Sequence, residues 1–305
     1  MLELRSVCRL FLVWLSLLCL IKRVAPILSQ GGFSHKLLPV SLPNTTFLVG
    51  KVHHQWCLTV EAEQVALFAS VLQEKRNRCL FVDVGMNDGF YTNMAASFGC
   101  QVYAFEVQPS CIEISRYALR ENKFESNVTI LSLPVSKTNG EPISISFPER
   151  PFCDGAFTFS GPKDSRVQRT HAKAPLIVNH TYSTISLDSF IPHGVSIDIL
   201  KVDVEGHEAE VLAGAMSLLR ERRIGRLVIE LGERNSYQNW TNLMEQYHRV
   251  VSMNYSLTTF NCHNVKKRGP ADVFTLETFD GFSTYATWKM FTLWRCPDIL
   301  VTSMI

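Results

Sequence analysis

Segments of strand length and helix length alternate through the middle of the chain, and this alternation constrains the fold more than any other feature. Apolar runs such as "CLFVDV" at 79–84 and "IDILKVDV" at 197–204 are each followed by a stretch with helical character. The pattern predicts a mostly parallel sheet with helices on both faces, which is a Rossmann-like, doubly wound α/β fold.

The predicted elements cover most of the region between residues 61 and 231. Strands are predicted at 79–84, 101–105, 128–135, 143–147, 197–204 and 226–231, with a late strand at 272–278. Helices are predicted at 61–72, 91–99, 109–123 and 208–222. Residues 148–175 are rich in Pro, Gly and charge, so we predict a long loop there. The loop is either simply exposed to solvent or contacts an acidic substrate through its basic residues.

The N-terminus carries an apolar segment, "LFLVWLSLLCLI" at residues 10–21, with basic residues on both sides. A run of this length is short for a membrane span and typical of a signal peptide. Snorkelling of the flanking basic side chains would instead allow it to anchor the chain in a membrane. We expect residues 1–28 to form a signal peptide or signal-anchor helix, with a buried core helix as the remaining alternative.

The rest of the chain is predicted to consist of three parts that differ in composition and pattern. Residues 29–55 contain Pro, Gly and Ser and are predicted to be a stem. Residues 56–250 are predicted to form the α/β domain. The strand–helix pattern weakens after that, so residues 251–305 are expected to pack on the domain as a C-terminal extension.

Glycosylation sequons indicate the compartment. Five N-x-[ST] sequons begin at Asn44, Asn127, Asn179, Asn239 and Asn254. Together with the apolar N-terminus, they favour the lumen of the secretory pathway. There the chain would be a single-pass type II membrane protein of the Golgi or ER, or a secreted protein after signal cleavage.

The nine cysteines fit an oxidising compartment only loosely. Cys79 and Cys100 flank predicted strands and are expected to be core thiols. The better candidates for disulfides are Cys57, Cys153, Cys262 and Cys296. No C-x-x-C motif is present and the histidines lack metal-ligand spacing, so we expect no structural zinc site.

Overall composition argues against a disordered protein and gives no support for nucleic acid as a partner. Hydrophobic residues make up 46% of the chain and charged residues 19%, which is ample for a folded core and unlike a disordered protein. The formal net charge is +2, so no electrostatic feature favours nucleic acid as a partner.

The turn "DVGMNDG" follows the first strand of the alternating region, where ligands bind in doubly wound sheets. Gly85 and Gly89 would let the backbone approach a ligand closely. Their spacing matches neither the dinucleotide fingerprint nor the P-loop, which disfavours a nicotinamide oxidoreductase. Asp83 and Asp88 would repel a pyrophosphate and suit a cationic ligand.

Glu106 ends the next strand, in "VYAFEVQP", where a carboxylate can accept both hydroxyls of a ribose. A nucleoside that is positively charged and has no phosphates is S-adenosylmethionine. The alternative is an acidic turn in a Rossmann-type sheet without a ligand. The combination of turn and Glu106 favours the cofactor.

Three stretches resemble the FkbM-type S-adenosylmethionine-dependent methyltransferases over residues 79–232. They are "FVDVGMNDGFYT", "YAFEVQP" and "ISLDSFIP…IDILKVDVEGHEAEVLAGA". Met86, Asp88 and Val107 stand where an alanine, an aliphatic residue and a proline are more usual in the family. The resemblance implies the class I methyltransferase fold and methyl transfer onto a hydroxyl, often of a sugar or polyketide.

The resemblance also assigns site residues. It implies that Asp83, Gly85, Asn87, Gly89 and Glu106 surround the cofactor. It places three further carboxylates at the rim where the acceptor binds: Asp203, Glu205 and Glu230.

Methyl transfer to an alcohol requires a positioned acceptor and removal of its proton. Asp203, Glu205 and His207 fall within five residues, and strand alternation would put the two carboxylates on one face. His207 titrates near neutral pH and is a candidate base, although the family often has an aromatic residue there, which favours packing. Alternatively, Glu205 or Glu208 caps the following helix.

Glu230 follows the strand "LVI" and is expected at the same edge of the sheet. Its alternative role is a salt bridge with Arg226 or Arg234. Asp203 and Glu230 together could hold a divalent ion, but no third ligand is evident.

Two functions remain. The first is a lumenal, membrane-anchored O-methyltransferase that acts on a glycan or glycoconjugate. The second is a non-catalytic binding or trafficking protein that retains the fold.

Overall fold

A computed structural model describes residues 36–59, 61–148, 153, 177–230, 240–253, 255–259, 273–274 and 299–303. The strands are β1 (Leu37–Leu42), β2 (Thr45–Gly50), β3 (Leu80–Val84), β4 (Gln101–Phe105), β5 (Val128–Leu131), β6 (Pro142–Pro148), β7 (Ile177–Ser183), β8 (Ile197–Val202), β9 (Ile224–Ile229), β10 (Tyr255–Thr259), β11 (Val273–Phe274) and β12 (Ile299–Ser303). The helices are α1 (Lys51–Thr59), α2 (Ala62–Glu74), α3 (Phe90–Ser97), α4 (Pro109–Asn122), α5 (Leu187–Phe190), α6 (Glu208–Ala213), α7 (Met216–Arg220) and α8 (Trp240–Ser252).

The centre of the fold is an eight-stranded sheet with the order β11-β10-β12-β9-β8-β3-β4-β5. The five neighbouring strands β5, β4, β3, β8 and β9 are parallel to one another, whereas β12 and β10 are antiparallel to their neighbours. The chain winds in one direction from β3 to β5 and in the other from β8 to β9, so the switch point lies between β3 and β8. This confirms the predicted mostly parallel, doubly wound α/β fold.

The central strands are buried on both faces, as a sheet covered by helices on both sides requires. Along β3, Val82 and Val84 join one hydrophobic core, and Phe81 joins the other. The same division along β8 places Leu200 in the first core and Ile199 in the second. Asp83 and Lys201 are therefore the buried charged residues of β3 and β8.

The stem predicted at 29–55 is wrong from residue 37 onward. β1 and β2 form an antiparallel hairpin, whose turn contains Asn44 at φ 67°. Val40, Phe47 and Val49 on the hairpin are buried in the core. The backbone of Leu48 exchanges two hydrogen bonds with the Asn122 side chain, at 2.7 and 2.8 Å. The hairpin is thus part of the domain.

The C-terminal residues also differ from the prediction. The described parts of 251–305 do not pack on the domain as an extension, because β10 and β12 are strands of the main sheet. Of the late strand predicted at 272–278, the structure describes only residues 273 and 274, which form β11.

The helix predicted at 208–222 is two short helices, α6 and α7, separated by Gly214 and Ala215. A Cβ built on Gly214 would lie only 2.1 Å from the backbone oxygen of Ser136. The chain breaks the helix at this close contact, which helical spacing alone does not reveal.

The predictions for the cysteines are confirmed only in part. Cys153 forms a disulfide as expected, whereas Cys262 and Cys296 lie outside the described residues. Cys79 and Cys100, expected to be core thiols, form a disulfide, and Cys153 pairs with Cys111. Cys57 is a buried free cysteine. The reason is geometric: parallel neighbours β3 and β4 start side by side, so cysteines that precede them meet, and sequence spacing does not show this.

The predicted signal or anchor segment at 1–28 lies outside the described residues, as does nearly all of the predicted loop at 148–175. None of the helices in the described part of the chain combines the length and hydropathy that crossing a membrane requires.

Candidate active site

The candidate site lies at the carboxyl edge of the central parallel strands. The turn after β3, Glu106 after β4, Asp203 after β8 and Glu230 after β9 all meet this edge. The backbone N–H of Asp203 donates to Val84 O, and that of Glu230 donates to Val202 O. The sheet therefore brings together the strand-end residues that the sequence singled out.

Two glycines in the turn are required by its geometry. Gly85 and Gly89 adopt φ values of 83° and 84°. A Cβ on Gly85 would lie 1.8 Å from the backbone oxygen of Asp203, and one on Gly89 would lie 2.2 Å from Ser115 Oγ. The turn is thus pressed against β8 on one side and α4 on the other.

Glu106 is held by three backbone amides. Its Oε1 accepts from the N–H groups of Val107 and Gln108, at 2.7 and 2.8 Å, and its Oε2 accepts from Asn87 at 2.9 Å. Burial raises the pKa of Glu106 to about 7, although these amide hydrogen bonds act in the opposite direction. A carboxylate fixed in this way presents its remaining lone pairs at the strand end.

Val107 explains one departure from the family pattern. A proline at this position would have no N–H, whereas the Val107 amide is one of the three donors to Glu106. The Val107 carbonyl accepts from the hydroxyl of Tyr182 at 2.7 Å, which ties this turn to β7.

Asp83 is fully buried beneath the turn. Its Oδ2 accepts from the Thr92 hydroxyl at 2.7 Å, while Oδ1 has no hydrogen-bond partner in the described structure. Burial raises the pKa of Asp83 to about 6, and the neighbouring ammonium of Lys201 partly counteracts this. A buried acceptor of this kind fits a cationic or hydrogen-bonding ligand above the turn.

The other two departures, Met86 and Asp88, are accounted for by packing. Met86 is buried in the core with Phe81 and Phe90. Asp88 is also buried, and a Cβ built on Gly50 would lie 2.9 Å from its Oδ2. The Asp88 carboxylate thus lies against the start of α1, where a helix N-terminus favours negative charge.

Lys201 is the functional candidate that sequence reasoning missed. Its Nζ lies 2.9 Å from Asp203 Oδ2 and 5.4 Å from the ring centroid of Tyr91, and the residue is 5% exposed. Burial disfavours the ammonium, but nearby carboxylates raise the pKa of Lys201 above its usual value; they belong to Asp203, Asp83, Glu230 and Glu61. The signal was available, since Lys201 is a charged residue inside the apolar strand "IDILKV".

Asp203 retains access to solvent despite this ion pair. Its side chain is 23% exposed, compared with 6% for Lys201. By contrast, the strand alternation that would place Glu205 on the same face stops at Val202, and Glu205 has a φ of 53°. That part of the prediction is wrong, because the chain leaves the strand before Glu205.

Glu208 supports the start of α6. Its carboxylate accepts from the amides of Val204 at 3.2 Å and Gly206 at 3.0 and 3.1 Å. Burial raises the pKa of Glu208 to about 7, against the effect of these amides. Both amides precede α6, so these hydrogen bonds hold the turn before the helix, and the capping alternative for Glu208 stays a prediction.

His207 lies at the N-cap of α6, with Nε2 3.3 Å from Ser136 Oγ. Burial lowers the pKa of His207 to about 4, and Lys137 acts in the same direction while Glu210 opposes it. The imidazole is therefore neutral near pH 7 and is a weak proton acceptor.

Glu230 is half-buried directly after β9. The Arg226 guanidinium donates to Gly225 O at 2.9 Å, and Arg234 lies outside the described residues, so the salt-bridge alternative stays a prediction. Among the described residues, no three His, Cys, Asp or Glu side chains group as metal ligands.

Comparison with known proteins assigns the family. The model of the "Methyltransferase FkbM domain" family matches residues 83–259, which is more than half of the chain. The chain belongs to the FkbM methyltransferase family. No curated protein matches the chain.

Several solved structures are similar at low sequence identity. Methyltransferase FkbM from Methylobacillus flagellatus is 16% identical, with a TM-score of 0.39; the match covers 65% of this chain and 43% of that protein. An rRNA methylase from Streptococcus thermophilus is 12% identical, with a TM-score of 0.40, over 81% of this chain and 97% of its own. The N-terminal domain of human METTL16 in complex with SAH is 11% identical, with a TM-score of 0.39, over 81% and 70%.

His207→Phe should remove a loss of stability that the wild type shows at acid pH. The folded-state pKa of about 4 lies below the ordinary value of 6.5, so between these values only the unfolded chain binds the proton. The free energy of unfolding therefore falls as pH falls through this window. We expect the stability of the variant relative to wild type to rise from pH 6.5 to pH 4 in urea unfolding.

The matched control is His193→Phe, at an exposed position. Equal pH dependence of the two variants would contradict the effect of His207 burial. If His207→Phe also retains methyl transfer, His207 is excluded as the general base.

Lys201→Met should destabilise the fold by about 3–5 kcal/mol at pH 8, because Asp83 and Asp203 lose their buried counter-charge. The loss should be smaller at pH 5, where protonation of Asp83 removes part of the repulsion. Lys137→Met, which breaks an exposed pair with Glu210, should cost less than about 1 kcal/mol. Similar costs for the two variants in urea unfolding would show that the Lys201 pairing is unimportant.

Proposed function

We propose that this chain transfers a methyl group from S-adenosylmethionine to a hydroxyl of a glycan or glycoconjugate in the secretory-pathway lumen. The observation that carries the methyltransferase part is the arrangement of Glu106. Three backbone amides hold its carboxylate beside a glycine turn at the switch point of the sheet. This is where doubly wound folds bind nucleosides.

The residues present fit the cofactor. Glu106 would accept the ribose hydroxyls, and Asp83 offers a buried carboxylate oxygen without another hydrogen-bond partner. Gly85 and Gly89 let the turn pack against Asp203 and Ser115, where a Cβ would clash. When bound, S-adenosylmethionine supplies a methyl group that is already activated on a sulfonium.

The protein must therefore orient the acceptor oxygen and remove its proton. Asp203 is our first candidate for the proton acceptor, since Lys201 holds one carboxylate oxygen while the side chain remains partly exposed. Lys201 itself stays protonated and cannot be the base. Glu205 and Glu230 remain candidates for contacts with the acceptor.

The compartment is proposed from two kinds of residue. Two disulfides, Cys79–Cys100 and Cys111–Cys153, require an oxidising environment to persist. Asn44 and Asn179 are sequon asparagines at exposed positions, in a hairpin turn and on β7. Both features fit a lumenal protein, held by its N-terminal segment as a type II membrane protein or secreted after cleavage. A glycan acceptor would be available in that lumen.

S-adenosylmethionine should bind the purified full-length chain with a micromolar dissociation constant in calorimetric titration. Glu106→Ala should weaken binding by at least about tenfold, or 1.4 kcal/mol, since it removes the ribose acceptor. Glu121→Ala, at an exposed position on α4, should bind as the wild type does. No binding by folded wild-type protein would exclude catalysis and favour the non-catalytic alternative.

N-glycosylation should be detectable in secretory cells. Asn44→Gln and Asn179→Gln should each increase electrophoretic mobility, and glycosidase treatment should abolish the difference from wild type. Thr181→Ala should match Asn179→Gln, because it destroys the same sequon, whereas Thr181→Ser retains the sequon and should migrate as wild type. A wild-type chain without any glycosidase-sensitive shift would contradict the lumenal proposal.

A further inference from the structure

The Cys111–Cys153 disulfide lies beside the turn after β3, residues 85–89, which we call the cofactor turn. Cys111 is in the first turn of α4, directly beyond the strand end that carries Glu106. Both cysteines are buried, and together with Ile114 they form a small cluster separate from the two main cores. The bridge therefore lies outside the two main cores, and packing of the core around the sheet does not account for its position.

The bridge contacts the side chain of Asn87. Asn87 Oδ1 lies 2.7 Å from the sulfur of Cys153 and 3.8 Å from that of Cys111. Disulfide sulfurs carry no hydrogen, so these are direct sulfur–oxygen contacts. Asn87 adopts a left-handed φ of 54°, which few residue types other than glycine tolerate.

Asn87 connects this contact to the cofactor carboxylate. Its backbone N–H donates to Glu106 Oε2 at 2.9 Å, and is the only one of the three donors to Glu106 that comes from the β3 turn. Constraining the Asn87 side chain thus constrains the amide that orients Glu106. A contact chain runs from the disulfide through Asn87 to the ribose-binding carboxylate.

The second disulfide provides a contrast within the same molecule. Cys79 and Cys100 precede β3 and β4, so their bridge lies at the amino ends of the strands, away from the turn. It belongs to one of the main cores. The two bridges close segments with sequence separations of 21 and 42 residues, so chain entropy predicts similar contributions to global stability.

We propose that the Cys111–Cys153 disulfide is a positioning element of the cofactor site, which holds Asn87 and thereby orients Glu106. The proposal rests on the cofactor assignment and not on the identity of the acceptor. It implies that the cofactor site is complete only after the chain has been oxidised. The Cys79–Cys100 bridge serves stability alone.

The test compares two double variants of the full-length chain, Cys111→Ala/Cys153→Ala and Cys79→Ala/Cys100→Ala. Calorimetric titration with S-adenosylmethionine measures affinity, and thermal unfolding measures stability. We expect the first variant to bind about fivefold or more weakly than the second at similar melting temperatures. Equal affinities in the two variants would overturn the proposal.

Hydrogen exchange of the protein without ligand provides a readout that is independent of cofactor binding. The amides of residues 85–89 should exchange faster in Cys111→Ala/Cys153→Ala than in wild type and remain protected in Cys79→Ala/Cys100→Ala. If the first variant fails to fold, Asn87→Gly tests the same link with the bridge intact, because glycine tolerates the left-handed φ. This variant should also bind the cofactor more weakly.

Combining the changes tests the pathway itself. Removing the Cys111–Cys153 bridge in the Asn87→Gly background should weaken binding less than in the wild-type background, since both changes break the same contact chain. Additive effects would show that the bridge acts by another route and would overturn the proposal. Failure of the wild type to bind would overturn the cofactor assignment as well, so the two failures are distinguishable.

Discussion

One buried cation holds the centre of this structure together. Lys201 and Asp83 are register partners on the adjacent central strands β8 and β3, and Asp203 lies two residues beyond Lys201. Without an ammonium at this point, the carboxylates would repel one another in a desolvated environment. Because β3 and β8 also flank the switch point, the same ion pair supports both the middle of the sheet and the edge where the candidate site lies.

Acidic groups are concentrated at this edge at an energetic cost. Burial raises the pKa values of Asp83 and Glu106 to about 6 and about 7, which means that their ionised forms are poorly solvated before any ligand arrives. One ammonium is shared among several carboxylates. A sulfonium nucleoside would bring a further positive charge and hydroxyl donors to these poorly solvated carboxylates.

Local sequence patterns correctly predicted the elements whose formation depends on residues close together in the chain. The apolar runs around Asp83 and Lys201 and the glycines of the β3 turn were sufficient to place the parallel strands and the cofactor turn. Features that depend on contacts between distant segments were missed. The pairing of Cys79 with Cys100 follows from strand adjacency, and the break at Gly214 follows from an approach to Ser136.

The sequence predicted for the same reason which residues meet at this edge of the sheet. Strand ends identify Glu106, Asp203 and Glu230, because the carboxyl ends of parallel strands share an edge. The burial of His207 and the proximity of Lys201 to Asp83 depend on neighbours from other elements, so their protonation states could not be read from residue type. Val107 is an intermediate case: its departure from proline was visible, but its role as an amide donor required the turn geometry.

The N-terminal hairpin has a consequence for how this domain can be produced and dissected. Asn122, which bonds the backbone of Leu48, also donates to Asn93 Oδ1, and Asn93 in turn donates to the carbonyl of Gly89. Residues before the family match are thus linked by side-chain amides to the cofactor turn. A fragment that begins at residue 56 would lose the hairpin, expose the apolar surface it covers and leave Asn122 without its backbone partner. Fragments for expression should therefore begin before Leu37.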